Sequence, residues 1–309
     1  MASSKAENSK LQKKYDNIYN KIDVNMKKSI FSFSDSYIDF ISYSKTERKA
    51  VEFSITLAKS RGYKNFDDLK SLKPGDKFYF INRNKNVFLV HLGSDSFLDG
   101  MNLLASHIDV PRIDLKPNPL YEDSNLALLE THYYGGIKKY QWTTIPLALY
   151  GVIINQKGEK IDVMIGDDEA DPVFYISDLL IHLAKDQMKK SLSEGVSGED
   201  LNVLCGSIPK KPKNEKEKIE NPIKQNILEI LNKKYGIIEE DFVGSEFELV
   251  PAGLARHIGF DRSLVAGYGH DDRSCSFAAL RAILDNKETP KRTSAVLLAD
   301  KEEIGSYGN

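Results

Sequence analysis

The sequence predicts an α/β protein whose core is interrupted by an inserted, β-rich segment. Two observations carry that prediction. Strand-period and helix-period apolar patterns alternate near both ends of the 309-residue chain, and hairpin patterns occupy its middle. A third makes it physically affordable: 41% of residues are hydrophobic and 28% charged, an ordinary globular balance with enough apolar material for a core.

The elements follow in order. Residues 1–30 are polar and charged, with a weak helical spacing at Leu11, Tyr15, Ile18 and Ile22. Ser34-Asp35-Ser36 can start a helix through Tyr37, Phe40 and Ile41. Lys45 to Lys59 is a better-marked helix, with Val51, Ile55 and Ala58 on one face and Gly62 as its stop. The period then changes. Lys73-Pro74-Gly75-Asp76 is a turn, and Phe78 and Phe80 alternate with Tyr79 and Ile81. A polar turn at 82–86 leads to a second strand, Val87 to Leu92. Asn102 to His107 reads as a buried strand ending on a histidine. A hairpin is expected over 151–165 with its tip at Gln156–Glu159, and a helix over Asp178–Lys185. Residues 206–224 carry three prolines and many charges and read as an exposed excursion. Helices Gln225–Tyr235 and Ser274–Leu284 and a buried strand Ala295–Ala299 complete the pattern.

Composition narrows the function. The net charge is -2 with acids and bases interspersed, so neither a nucleic-acid groove nor a polybasic membrane patch is expected. Cys205 and Cys275 lie too far apart for a thiolate metal site or a disulfide scaffold. The N-terminal residues have no apolar signal region, and no apolar run reaches membrane-spanning length. A cytoplasmic protein is expected.

Three constellations can carry chemistry. In Ser106-His107-Ile108-Asp109, residues two apart on a strand point the same way, so a carboxylate can orient an imidazole that ligates a metal. Alone, the pattern reads better as a polar strand end. Gly269-His270-Asp271-Asp272-Arg273 opens a helix. Its acids suit the helix dipole, and one of them could bridge two cations. Asp300-Lys301-Glu302-Glu303 follows the apolar strand 295–299, at the strand end where ligands bind in open α/β sheets. Adjacent acids there allow one to ligate metal and the other to take a proton from water. Nitrogen and oxygen donors suit zinc, manganese or cobalt(II). The chain has no Gly-x-Ser-x-Gly elbow and no phosphate-binding glycine loop.

The segments LLASHIDVPRIDLKP, FDRSLVAGYGHDDRSC and ADKEEIGSYGN, in that order, resemble the three signature regions of the aspartyl aminopeptidases, which are co-catalytic zinc peptidases. The resemblance runs from about Lys45 to Asn309. It implies a mixed-sheet zinc-peptidase core with helices on both faces, interrupted by a β-rich dimerisation domain. The implied divisions are 1–112 for the first part of the catalytic domain, 113–256 for the insertion and 257–309 for the continuation. It also implies a reaction, removal of N-terminal residues from peptides by water activated at two zinc ions per subunit. His107 then looks like a zinc ligand and Asp109 like the acid that orients it. Asp271 looks like the bridging carboxylate, Glu302 like the general base and Glu303 like a zinc ligand. His182 resembles a histidine that reaches into a partner subunit's active site, and dimers assembling into a larger homo-oligomer are implied. The segment Thr131–Lys139 departs from the family's commoner glycine run, which suggests a bacterial branch and leaves a preference for acidic N-terminal residues open. The family's remaining aspartate and histidine ligands are expected beyond Asn309, so the natural chain is expected to be longer. A deacylase on the same framework and a non-catalytic assembly protein are the alternatives.

Overall fold

Two cores, not one, organise the chain. The computed structural model describes residues 13, 15–214 and 218–305. Helix α1 (Val24–Tyr43) and helix α2 (Glu47–Ser60) come first. Strands β1 (Lys64–Asn65), β2 (Lys77–Asn82), β3 (Asn86–His91) and β4 (Met101–His107) follow. Next come the long strands β5 (Arg112–Asp123) and β6 (Leu126–Tyr134), the hairpin β7 (Leu147–Ile154) and β8 (Lys160–Ile165), and β9 (Val203–Gly206). Helix α3 (Pro222–Tyr235), β10 (Ser245–Pro251), the small hairpin β11 (Arg256–Ile258) and β12 (Leu264–Ala266), helix α4 (His270–Leu284) and β13 (Thr293–Ala299) complete it.

The first sheet runs β1-β2-β3-β13-β4 and is mixed: β13 lies antiparallel to β3 and parallel to β4. Strand alternation sorts its side chains. Tyr79, Val87, Leu89, Val296 and Leu298 bury one face against Ala50, Val51 and Ala58 of α2 and Leu280, Ile283 and Leu284 of α4. On the opposite face Phe78, Val90 and Ala295 pack with Phe66 and Leu69. The second sheet, β8-β7-β10-β5-β6-β9, is antiparallel throughout. Its core joins Ile113, Leu129, Leu149, Val203 and Leu249 to Ile223 at the start of α3.

Most expected elements form where the pattern puts them, but β4, expected to be buried, is largely exposed, because it lies at the end of the first sheet with Leu103 and Leu104 about half exposed. The other exceptions have local causes. The first helix begins at Val24, ten residues before Ser34, because Asp23 accepts from the Met26 amide at 2.7 Å and caps it there. Leu11, in the weak N-terminal pattern, lies outside the described residues, as do 215–217 of the excursion and 306–309 of the last motif. The helix expected at 178–185 is instead a series of turns. Asp178 spends its carboxylate on the Leu179 amide and the Gln187 side chain, and Leu179, Leu180, Ile181 and Leu183 are exposed, so no packed face supports a helix.

Candidate metal centre

The parallel pair β4–β13 brings two distant motifs side by side. His107 is in register with Ala299, and the Ile108 amide donates to the Ala299 carbonyl at 2.8 Å. Both strands deliver their carboxyl ends to one place, so His107 and the turn at 302–304 meet there. Helix α4 closes the third side. Its Ser276 hydroxyl donates to the His107 carbonyl at 2.8 Å, and the Arg273 Nε donates to the Ile108 carbonyl at 2.9 Å.

His107 Nε2 faces Asp271 Oδ1 at 3.6 Å and Glu302 Oε2 at 3.6 Å. Single ligand atoms of His107, Glu302 and Glu303 lie within 4.8 Å of one another. Asp271 starts α4 in a non-helical conformation, with its carboxylate exposed toward the opening. On the other side of the ring, Nδ1 lies 3.0 Å from the Asp109 carbonyl oxygen and 3.4 Å from Asp109 Oδ1. A proton on Nδ1 serves both, which leaves the Nε2 lone pair for an electrophile.

Asp109 is fully buried and works as a hub. Its Oδ1 accepts from the Glu302 amide at 3.2 Å, and its Oδ2 from the Glu303 amide at 3.1 Å and the Tyr134 hydroxyl at 2.8 Å. The Tyr134 phenol is pushed far above its usual range by burial and by that carboxylate, so it remains a donor. The glycine after it has a positive φ of 70°, and a Cβ there would stand 3.2 Å from Glu303 Cβ and 3.4 Å from Pro111 Cγ. The loop from the second sheet therefore seats closely against the acidic turn.

Burial raises the Glu303 carboxyl; a charge on His107 opposes the rise, and the charges of Asp109, Asp271 and Glu302 add to it. Burial opposes charge on His107, but the Asp109 carbonyl and the surrounding carboxylates outweigh it and raise its pKa. An imidazole held among crowded carboxylates fits a divalent cation of the zinc type, with nitrogen and oxygen donors and no thiolate. His107, Glu303 and Asp271 would hold it, with Glu302 beside them.

The structure thus brings together His107, Asp109, Asp271, Glu302 and Glu303. His182 stays outside that cluster, exposed on the irregular segment. Three supporting residues were not singled out from the sequence. Tyr134 binds Asp109, Arg273 holds the Ile108 carbonyl, and Tyr268 donates to the Pro111 carbonyl at 2.8 Å. Each acts on a partner at least 25 residues away, so no local spacing marks it.

A histidine and clustered carboxylates at the carboxyl ends of two parallel strands define a metal centre of the α/β class. The chain belongs to the aminopeptidase I zinc metalloprotease (M18) family, whose model matches residues 40–309. It is 50% identical over 302 residues to a probable M18 family aminopeptidase 1 of Clostridium acetobutylicum, covering 96% of this chain and 64% of that protein. A relative of the same description from Thermotoga maritima is 45% identical over 283 residues, covering 92% and 60%. The crystal structure of the Thermotoga maritima aminopeptidase superposes with a TM-score of 0.88 at 43% identity, covering 96% and 63% of the two chains. That of aminopeptidase I from Clostridium acetobutylicum gives 0.87 at 46%, covering 96% and 65%. The chain thus spans about six-tenths of the length of the relatives it matches. Among the described residues, no helix is long and apolar enough to cross a membrane.

Proposed function

We propose that this chain carries the metal-holding half of an aminopeptidase that removes N-terminal residues from peptides. The observation that carries the reading is the convergence of His107 Nε2 on Asp271 and Glu302 at 3.6 Å each, with Glu303 in the same cluster. His107 and Glu303 would each ligate zinc and Asp271 would serve as a carboxylate common to two ions; manganese or cobalt can replace zinc at such donors. Two ions need more ligands than these, and the others are sought outside the described residues.

Bound zinc supplies Lewis acidity at the scissile carbonyl and eases deprotonation of water. The protein's own residues do the rest. Glu302, about two-thirds exposed at the opening, accepts the proton of the attacking water and delivers it to the leaving amine. Asp109 holds the His107 ring in one tautomer and fixes the backbone from which both glutamates project. The loop after Tyr134 seats against the acidic turn and bears the exposed Lys138, a cation that could favour an acidic substrate side chain.

The test uses the full-length gene product and aminoacyl anilides of Asp, Glu, Leu and Lys, with parallel N-acetylated substrates. Cleavage of the free-amine substrates, lost to a chelator and restored by zinc, is the expected result. Glu302→Gln should lower kcat about 100- to 10,000-fold while metal content stays the same. Chelator-insensitive turnover, or a preference for the acetylated substrates, removes the aminopeptidase reading.

A further inference from the structure

We propose that Tyr134 is a positioning residue of the metal centre, through which the second sheet sets the geometry of the ligands on the first. The inference rests on the metal-site reading above and adds to it a residue with no ligand or proton-transfer role of its own.

The chain of contacts is short and continuous. Glu47, fully buried in the first turn of α2, lies 3.3 Å from Arg112 Nη1. Arg112 is itself buried, donates from Nε to Asp114 at 2.7 Å, and lies 3.6 Å from Glu248 on β10. That web pins the guanidinium, whose central carbon stands 4.0 Å from the centroid of the Tyr134 ring. A cation stacked on the ring face holds the ring plane and so aims its hydroxyl. The hydroxyl reaches Asp109 Oδ2 at 2.8 Å. Asp109 then divides its two oxygens among the His107 ring and the Glu302 and Glu303 amides.

Among the described residues, Tyr134 supplies the one side-chain hydroxyl that donates to this carboxylate. It ends β6, whose Tyr134 pairs with Arg112 in register, so the stacking pair comes from neighbouring strands of the second sheet. Without the hydroxyl, Asp109 keeps the Glu302 and Glu303 amides but loses the shortest of its contacts, at 2.8 Å. A carboxylate held only by the longer contacts is placed less firmly against the imidazole and the two amides. The cost then falls on the alignment of His107 and Glu303 rather than on the fold. Asp109 stands one step behind the His107 ligand, where loss of a partner weakens metal binding about 10- to 100-fold, and Tyr134, one step further back, belongs at the low end of that range.

The experiment measures zinc affinity of the full-length gene product by competition with a chromogenic chelator, alongside the circular dichroism and melting temperature of the metal-free form. Tyr134→Phe keeps the ring on Arg112 and removes the hydroxyl alone. It should bind zinc about 10-fold or more weaker while its metal-free form stays folded. Arg112→Lys keeps the charge and the hydroxyl but loses the planar stack, and should fall between Tyr134→Phe and the parent. The cobalt(II) visible spectrum should shift in both variants, as ligand geometry changes. Parent-like affinity in Tyr134→Phe overturns the inference, whatever its melting temperature, because a purely structural hydroxyl would lower stability alone. A Tyr134→Phe protein that does not fold, with parent-like affinity in Arg112→Lys, also overturns it. If the parent itself binds no zinc, the metal-site reading fails first, and the inference goes with it.

Discussion

Glu47 and Glu248 flank the same guanidinium and titrate in opposite directions. Burial opposes charge on Glu47, but Arg112 and Lys85 outweigh it and hold its carboxyl down to about 2. Burial, with the Glu47 charge beside it, pushes Glu248 up from 4.5 to about 8. The signs follow from proton linkage. Glu47 contributes stability above its unfolded value and loses it as pH falls toward 2. Folded Glu248 holds its proton more tightly than the unfolded chain does, so its contribution declines as pH rises from about 4.5 to 8. Glu248→Gln should therefore be more stable than the parent at pH 8, with the difference shrinking toward pH 5 in urea unfolding curves. A pH-independent difference would count against this assignment. At this scale the sequence was informative about residues that bear chemistry. His107, Asp109, Glu302 and Glu303 stand at the ends of apolar runs, where a carboxylate or imidazole needs a reason, and Asp271 stands at a helix start. It was silent on Tyr134 and Arg112, whose meaning lies in a stack between two strands.

Elements were legible where their apolar residues are buried. Strands β3 and β13 read as continuous apolar runs because both their faces are covered, one by helices α2 and α4 and the other by Phe66 and Leu69. The apolar stretch 178–185 has the composition of a helix and no surface to pack on, and composition alone does not reveal which faces are covered. The register of β3 against β13 depends on a single close approach. Gly93 follows β3, and its amide donates to Thr293 Oγ1 at 3.0 Å. A Cβ there would stand 2.4 Å from the Thr293 nitrogen and 2.6 Å from the Arg292 carbonyl carbon. Both atoms are backbone and cannot swing aside. Gly93→Ala should cost about 1–3 kcal/mol, read as a lower urea midpoint with an unchanged slope. An unaltered midpoint would mean that the strand end yields without cost.

For the whole molecule, the two sheets are joined mainly by polar contacts. Lys45 Nζ donates to the Pro251 and Gly253 carbonyls, and Arg48 and Lys85 pair with Glu246. This is consistent with the division proposed at 113–256, whose sheet has its own core. The middle segment also shows apolar side chains to solvent: Leu179, Leu180, Ile181 and Leu183 are each more than half exposed. Contiguous exposure of this kind marks an association surface. We expect the full-length gene product to assemble as dimers within a larger homo-oligomer through this segment, with His182 carried toward a partner's site. Light scattering should report a multimer, and Leu180→Asp should reduce its mass. A single-chain mass for the parent would remove the proposal.

The pairing of β4 with β13 has a consequence in time. His107 waits on Ala299, about 190 residues later in the chain, and at a synthesis rate of about 5–20 residues per second that is roughly 10–40 s on the ribosome. During that interval every strand of the second sheet is made and can close on local, antiparallel partners, while β4 stays single. The order of birth therefore favours a finished middle segment, with Tyr134 already seated on Arg112, before the acidic turn is born to meet it. The nascent chain lays down the mould first and the ligands that it shapes afterwards.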